Sequence, residues 1–147
     1  MIKKFVGKIW KRLTPATHVK IVRMTQPKFT VSAAAIVVNE RGEVLLLDHV
    51  FRPTSNWGIP GGFIKINEPP EKAVCREIFE ETGLRLKNVR LVRVRTNYRH
   101  LEILYRADAS GKAEAKSAEI NAAKWFEPGE IPEEMSNGQK ADVKEFL

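Results

Sequence analysis

The 147-residue sequence is poor in cysteine and in long apolar runs. Its one cysteine, Cys75, cannot form a disulfide bond within the chain, which is typical of a protein from a reducing compartment. No apolar run approaches the roughly 20 residues that cross a bilayer, so no transmembrane helix is expected. These absences favour a cytoplasmic protein. A length of 147 residues fits one domain and is long enough to bury a core.

Acidic residues are missing before Glu40, although the whole chain has a net charge of +7. Eight basic residues lie in that stretch, which leaves 17 basic and 18 acidic residues for the rest of the chain. The positive charge therefore belongs to an N-terminal extension. We expect residues 1–24 to form this extension and residues 25–147 to form the domain.

The N-terminal segment MIKKFVGKIWKRL predicts a basic amphipathic helix, because apolar residues recur at three- and four-residue steps between lysines and arginines. Pro15 is expected to end it. Its apolar face favours packing on the domain or on a second copy of the chain, as in a homodimer. The alternative is that residues 1–14 contact RNA or an anionic membrane surface, which would make the protein peripheral to a membrane.

Beyond the extension, the order of strands and helices predicts an α/β fold. The segments FTVSAAAIVV and EVLLLDHV are expected to form a hairpin around NERG. A long loop, FRPTSNWGIPGGFIKINE, then leads to a helix from about Pro69 to Thr82. Strands at about Val89–Arg95 and Leu101–Arg106, a short strand in AAKWFEP and a helix in NGQKADVKEFL complete a mixed sheet with helices packed on it.

Three carboxylates are crowded on the predicted helix, in the stretch CREIFEETGL. Residues three and four positions apart share a helix face, so Glu77, Glu80 and Glu81 are expected to point the same way. Two such charges about 4 Å apart repel by about 4 kcal/mol near a protein surface. Arg76 can reach Glu80, but one arginine cannot neutralise three carboxylates.

A solvated acidic face and a cation site are the two interpretations of this cluster. The adjacent glycines of GIPGGF favour the cation site, since they let backbone groups approach a ligand closely. All-oxygen ligands suit Mg²⁺ or Mn²⁺, and Mg²⁺ often takes its remaining ligands from substrate phosphates. The residues therefore predict a magnesium site for a phosphorylated substrate.

The span from Gly62 to Leu84 resembles the Nudix box. That signature is Gly, five residues, Glu, seven residues, Arg-Glu, an aliphatic residue, any residue, Glu-Glu, any residue, Gly and an aliphatic residue. Every specified position is met, by Gly62, Glu68, Arg76, Glu77, Ile78, Glu80, Glu81, Gly83 and Leu84. The flanking segments WGIPGG and WFEPGEIP also resemble the family.

The resemblance implies a Nudix α/β/α sandwich and an enzyme that uses a divalent metal to hydrolyse the diphosphate linkage of a nucleoside diphosphate joined to another moiety. ADP-ribose, nucleotide sugars, nucleoside triphosphates and dinucleoside polyphosphates are such compounds. The alternatives are an RNA 5′-pyrophosphohydrolase and a non-catalytic Nudix module that binds RNA or a membrane through its basic arm.

The resemblance also implies roles for individual residues. Carried over by position, the metal ligands would be Glu77, Glu80, Glu81 and the carbonyl of Gly61. Arg76 would hold the carboxylates, and the supporting residues would be Gly62, Glu68 and Gly83. The attacking water would lose its proton to Glu77 or to Glu119, which precedes the WF strand. Candidates for substrate contact are Arg52, Trp57 and Tyr98.

Overall fold

The computed structural model describes residues 6–7, 10–51 and 56–147. Its elements are α1 (Pro15–Thr25), β1 (Thr30–Val38), β2 (Val44–His49), β3 (Trp57–Gly58), β4 (Gly61–Phe63), α2 (Pro70–Thr82), β5 (Lys87–Asn97), β6 (His100–Asp108), β7 (Ile120–Phe126) and α3 (Asn137–Phe146). The predicted hairpin, central helix, three later strands and closing helix are all confirmed, with ends that differ by a few residues.

The strands form one seven-stranded mixed sheet in the order β3-β2-β1-β6-β5, with β4 paired to β1 and β7 paired to β2. β1 lies at its centre and runs parallel to β6 along its whole length. The first half of β1 also pairs antiparallel with β4, and its last residue pairs with β2. The glycine strand β4 is therefore fixed to the middle of the sheet.

Alternate residues of β1 point to opposite faces of the sheet, and each face is covered by a helix. Positions 33, 35 and 37 lie in a buried cluster with α2, which contributes Ala73, Val74 and Ile78. Positions 34, 36 and 38 lie in a second cluster on the other face, with Met135 and with Val143 of α3. The predicted α/β fold with a mixed sheet is confirmed, and its two helical layers flank that sheet.

The prediction of one long loop between β2 and α2 is wrong. This segment contains β3 and β4, which are only two and three residues long. Gly58 pairs with Leu47, and Phe63 pairs with Ser32, so both strands depend on partners distant in sequence. Strands this short carry no alternation of apolar residues by which they could be recognised.

Pro15 ends the first predicted helix and begins a second one. Helical residues occur at positions 10–12, and α1 starts three residues later. The side chain of Thr14 caps α1 by accepting a hydrogen bond from the N–H of Thr17, with proline in the first turn.

The N-terminal helical residues make little contact with the domain. α1 has no buried residue, and Val6 and Trp10 are both exposed. The predicted packing of an apolar face on the domain is therefore not observed for these two residues, while packing on a second copy stays a prediction. Positions 1–5 and 8–9 lie outside the described residues. None of the described helices combines the length and the apolar character needed to cross a bilayer.

Candidate active site

Arg76 is the centre of the carboxylate cluster on α2. Its Nε donates to Glu68 Oε1 at 2.7 Å and its Nη2 to Glu68 Oε2 at 2.8 Å, which is a bidentate pair. Its Nη1 donates to Glu77 Oε1 at 2.7 Å and to Glu80 Oε2 at 3.1 Å, and its Nη2 also donates to the carbonyl of Phe63 at 3.3 Å. All five guanidinium donors are therefore used, and a lysine could not replace them.

These contacts shift the protonation of both main partners. Two hydrogen-bond partners lower the pKa of Glu68 from 4.5 to about 2. The larger effect comes from Arg76 and the smaller one from the backbone N–H of Lys65. The same hydrogen bond to Glu68 is the largest factor that raises the pKa of Arg76, although partial burial opposes it. Glu68 and Arg76 are therefore both ionised at neutral pH, and the loop before α2 is tied to the helix.

Gly62 makes room for the Glu77 carboxylate. A Cβ atom at position 62 would lie 2.5 Å from Cδ of Glu77 and 2.8 Å from each of its carboxylate oxygens. Real Cβ atoms essentially never come within 3.0 Å of another group, so only glycine leaves this space open. Gly61 is restricted more strictly, because at φ 148° its Cβ would lie 2.4 Å from the backbone carbonyl oxygen of Ala33, whereas a side chain such as that of Glu77 can move aside.

The C-terminal end of α2 is fixed by a left-handed glycine. Gly83 has φ 75° and its N–H donates to the carbonyl of Phe79 at 2.8 Å. The side chain of Lys116 lies over Gly83, and its backbone N–H donates to the carbonyl of Glu81 at 2.9 Å. The Glu81 side chain itself is buried, with 8 % of the residue exposed. The helix end and the loop between β6 and β7 thus hold the backbone of Glu81 in place.

The donor set suits a hard divalent cation. Arg76 takes one oxygen each of Glu77 and Glu80, and no other residue in the described ranges forms a hydrogen bond or ion pair with their second oxygens. In the same ranges, no three Asp, Glu, His or Cys side chains converge as a complete ligand set. Mg²⁺ is commonly held through only one or two carboxylates, together with waters and substrate phosphates, so this arrangement fits it.

The remaining predicted residues belong to segments of the chain other than α2. Glu119 is exposed just before β7, where its carbonyl accepts a hydrogen bond from the N–H of Val50. Trp57 is half-buried and packs edge-on against Phe126, with ring centroids 5.0 Å apart. Tyr98 is 97 % exposed at the turn between β5 and β6. Arg52 lies outside the described residues.

A groove begins at the glycine strand and runs over β6 to the start of α3. It consists of two adjoining clefts of about 280 and 470 Å³, which share His100, Glu102 and Gln139. Gly61, Gly62 and Phe63 line its first end, and Arg95 lines the other. We call it the β6 groove. Gly62, which also touches Glu77, therefore lies between the groove and the carboxylate cluster.

Phe63, His100, Glu102 and Gln139 are groove residues that sequence reasoning missed. They belong to three elements, β4, β6 and α3, and the pairing of Ser32 with Glu102 brings together positions far apart in the chain. One signal was present in β6. Its residue Leu104 lies in the cluster on the α3 face, and the alternate positions 102 and 100 continue that face with polar side chains.

Comparison with known proteins assigns this arrangement to a family. The model of the NUDIX domain matches residues 28–146, which is most of the chain. The chain belongs to the Nudix family. It is a Nudix hydrolase, a pyrophosphohydrolase that acts on phosphoanhydrides, as the signature from Gly62 to Leu84 predicted. Hydrolases of this family typically use a divalent metal.

Relatives of this Nudix hydrolase are similar along most of its length. It is 36 % identical over 112 residues to a MutT-like protein of Streptomyces ambofaciens. The aligned region covers 75 % of this chain and 71 % of the relative. It is 31 % identical over 121 residues to a putative 8-oxo-dGTP diphosphatase of Bacillus subtilis, covering 80 % of each. The structure of a MutT NUDIX hydrolase from Burkholderia pseudomallei superimposes with a TM-score of 0.70 at 28 % identity, over 83 % of this chain and 99 % of that one.

Proposed function

We propose that this Nudix hydrolase uses Mg²⁺ or Mn²⁺ to hydrolyse the diphosphate linkage of a nucleoside diphosphate joined to another group, with residues 25–147 as the catalytic domain. The observation that carries the proposal is the cluster of Glu77 and Glu80 around Arg76, beside the space that Gly62 leaves open. Similarity to a MutT-like protein and to a putative 8-oxo-dGTP diphosphatase supports a nucleoside triphosphate as one substrate of this kind.

The metal ligands in this proposal are the carboxylates of Glu77, Glu80 and Glu81 together with the carbonyl of Gly61. These groups do not converge as one set in the described residues, so they would close around the ion when it binds. When bound, the ion would polarise the phosphoryl oxygens and lower the pKa of the attacking water. Arg76 orients two of the carboxylates, and Glu68 braces the loop that carries the glycines. Glu77 and Glu119 remain the two candidates for accepting the proton of the water.

The position of the β6 groove gives the substrate a direction. Its first end touches the cluster through Gly62, so the phosphates lie at that end and the nucleoside extends along β6. The exposed ring of Phe63 stands at this entrance with its centroid 6.0 Å from that of His100. Because Phe63 contacts His100, which lines both clefts, these rings offer a stacking surface to a base that lies along β6.

The test is a substrate panel assayed with Mg²⁺ on the wild-type chain and on Glu81→Gln. The panel holds nucleoside triphosphates, ADP-ribose, nucleotide sugars, dinucleoside polyphosphates and triphosphorylated RNA. The substitution keeps the shape of the side chain and removes its charge, so we expect at least about 10²-fold slower hydrolysis of the best substrate. Glu114→Gln is the matched control, since Glu114 forms an ion pair with Lys112 at the surface.

Two results would overturn the proposal. One is a Glu81→Gln protein that hydrolyses the best substrate as fast as Glu114→Gln does. The other is hydrolysis that is unchanged when EDTA removes divalent ions. If the enzyme preferred triphosphorylated RNA to every small molecule, the metal-dependent hydrolysis would stand, but the substrate class would be RNA.

A further inference from the structure

Glu102 is held in the β6 groove by an arginine that is itself held by a buried carboxylate. Nε of Arg95 donates to Glu102 Oε2 at 2.6 Å. Nη2 of Arg95 also lies 2.8 Å from Oδ2 of Asp142, a residue of α3 that is fully buried. A buried carboxylate is stable only when it is paired, and Arg93 is its second partner. Asp142 of α3 therefore fixes the position of Arg95.

The arrangement leaves one face of the Glu102 carboxylate for a ligand. Its contacts with Arg95 all use Oε2, and no residue in the described part of the chain engages Oε1. The side chain is 17 % exposed and lines both clefts of the groove. An ionised carboxylate only accepts hydrogen bonds, so this oxygen selects a ligand group that donates them.

The neighbours of Glu102 fit a flat base. The ring of His100 is immobilised, because Nδ1 lies 2.8 Å from the hydroxyl of Thr30 and Nε2 lies 2.9 Å from the hydroxyl of Ser32. Phe63 presents a ring that is largely exposed and set edge-on to this imidazole. The groove thus combines a stacking surface with one fixed acceptor.

Guanine is the common nucleobase that offers two adjacent donors, N1–H and the N2 amino group, on one edge. Adenine turns the acceptor N1 towards the same position, and uracil flanks its N3–H with two carbonyl oxygens. We propose that Glu102 selects a guanine base by accepting hydrogen bonds from this edge, and that Asp142 acts through Arg95 as a positioning residue. This inference rests on the proposed function, since it assumes that the nucleoside occupies the β6 groove.

Binding and hydrolysis test this separately. Calorimetry with guanosine, inosine and adenosine monophosphates measures base selection without any reaction. Hydrogen bonds to a charged acceptor lead us to expect guanosine binding about 10- to 100-fold tighter than adenosine binding, with inosine, which lacks the amino group, between them. The same order is expected in kcat/KM for the corresponding triphosphates with Mg²⁺, through KM more than through kcat.

Two variants assign the effect to residues, and a third is their control. Glu102→Gln is expected to weaken guanosine binding by about 10-fold or more and adenosine binding much less. Arg95→Lys retains the charge next to Asp142 but loses the fork that orients Glu102, so it should shift selectivity in the same direction with a smaller effect. Asp108→Asn is the control, because it removes an acidic partner of Arg106 elsewhere on β6 and should leave the order of the bases unchanged.

Equal affinity of the wild-type chain for guanosine and adenosine monophosphates would overturn the inference and leave the proposed hydrolysis standing. So would a Glu102→Gln protein that still selects guanosine. Selective binding of guanosine without hydrolysis of any compound in the panel would support the inference and overturn the proposed function. Melting temperatures of all variants separate loss of selectivity from loss of the fold.

Discussion

Replacing Gly62 by alanine would place a methyl group where the Glu77 carboxylate lies. The new Cβ would be 2.5 Å from Cδ of Glu77, whereas ordinary contacts begin at 3.4 Å. The carboxylate must then move by about 1 Å, and a displacement of that size in a reacting site lowers kcat by about 10²-fold. This equals about 2.7 kcal/mol of lost transition-state stabilisation. Glu77 is partly exposed, so it can move without unfolding the helix.

The assay is kcat, KM and the Mg²⁺ concentration for half-maximal rate, measured on Gly62→Ala and on Gly129→Ala. Gly129 is a matched control, because a Cβ there would meet nothing within 4 Å. We expect Gly62→Ala to lose about 10²-fold in kcat and to need more Mg²⁺, with a melting temperature close to that of the control. A kcat within twofold of the control would refute the view that Gly62 is required for the placement of Glu77.

Two further predictions concern stability. Because the pKa of Glu68 falls from 4.5 to about 2 on folding, the stability it confers is complete above about pH 4.5 and is lost as the pH falls towards 2. The melting temperature of Glu68→Gln should therefore lie below that of wild type by a constant amount near neutral pH, and a gap that persists at pH 2 would contradict this. Gly83→Ala, at φ 75° and against Lys116, should destabilise the protein by about 1–2 kcal/mol in urea unfolding, and an unchanged midpoint would contradict the left-handed cap.

Elements with a strong local pattern could be predicted from the sequence. The helix α2 is marked by prolines at its start and Gly83 at its end, and the prediction places both ends within one residue. β3 and β4 could not be predicted, because nothing local makes Trp57–Gly58 or Gly61–Phe63 extended. Their conformation comes from hydrogen bonds to β2 and β1, which exist only in the assembled sheet.

The residues of the site likewise differ in whether a local pattern in the sequence predicts their contacts. Most of the cluster around Arg76 lies within one helix, so the four-residue spacing predicts its contact with Glu80 directly, whereas its contact with the adjacent Glu77 is implied only by the resemblance to the Nudix box. The groove cannot be predicted in this way, because it depends on contacts between distant segments. The strand register sets Ser32 opposite Glu102, and α3, from the end of the chain, contributes Gln139. Arg95 illustrates the difference. Its charge is visible in the sequence, but its partners come from β6 and α3.

The alternation along β1 has a consequence for how such an enzyme can diversify. One side of the strand supports the helix with the catalytic carboxylates, and the other supports α3 and borders the groove. Mutations at Ser32 or Glu102 therefore alter the groove without disturbing the packing under α2. A lineage can change its preferred compound by exchanging residues on one side of two neighbouring strands, β1 and β6, while it inherits the hydrolytic apparatus intact. A directed-evolution library restricted to that side would exploit the same independence.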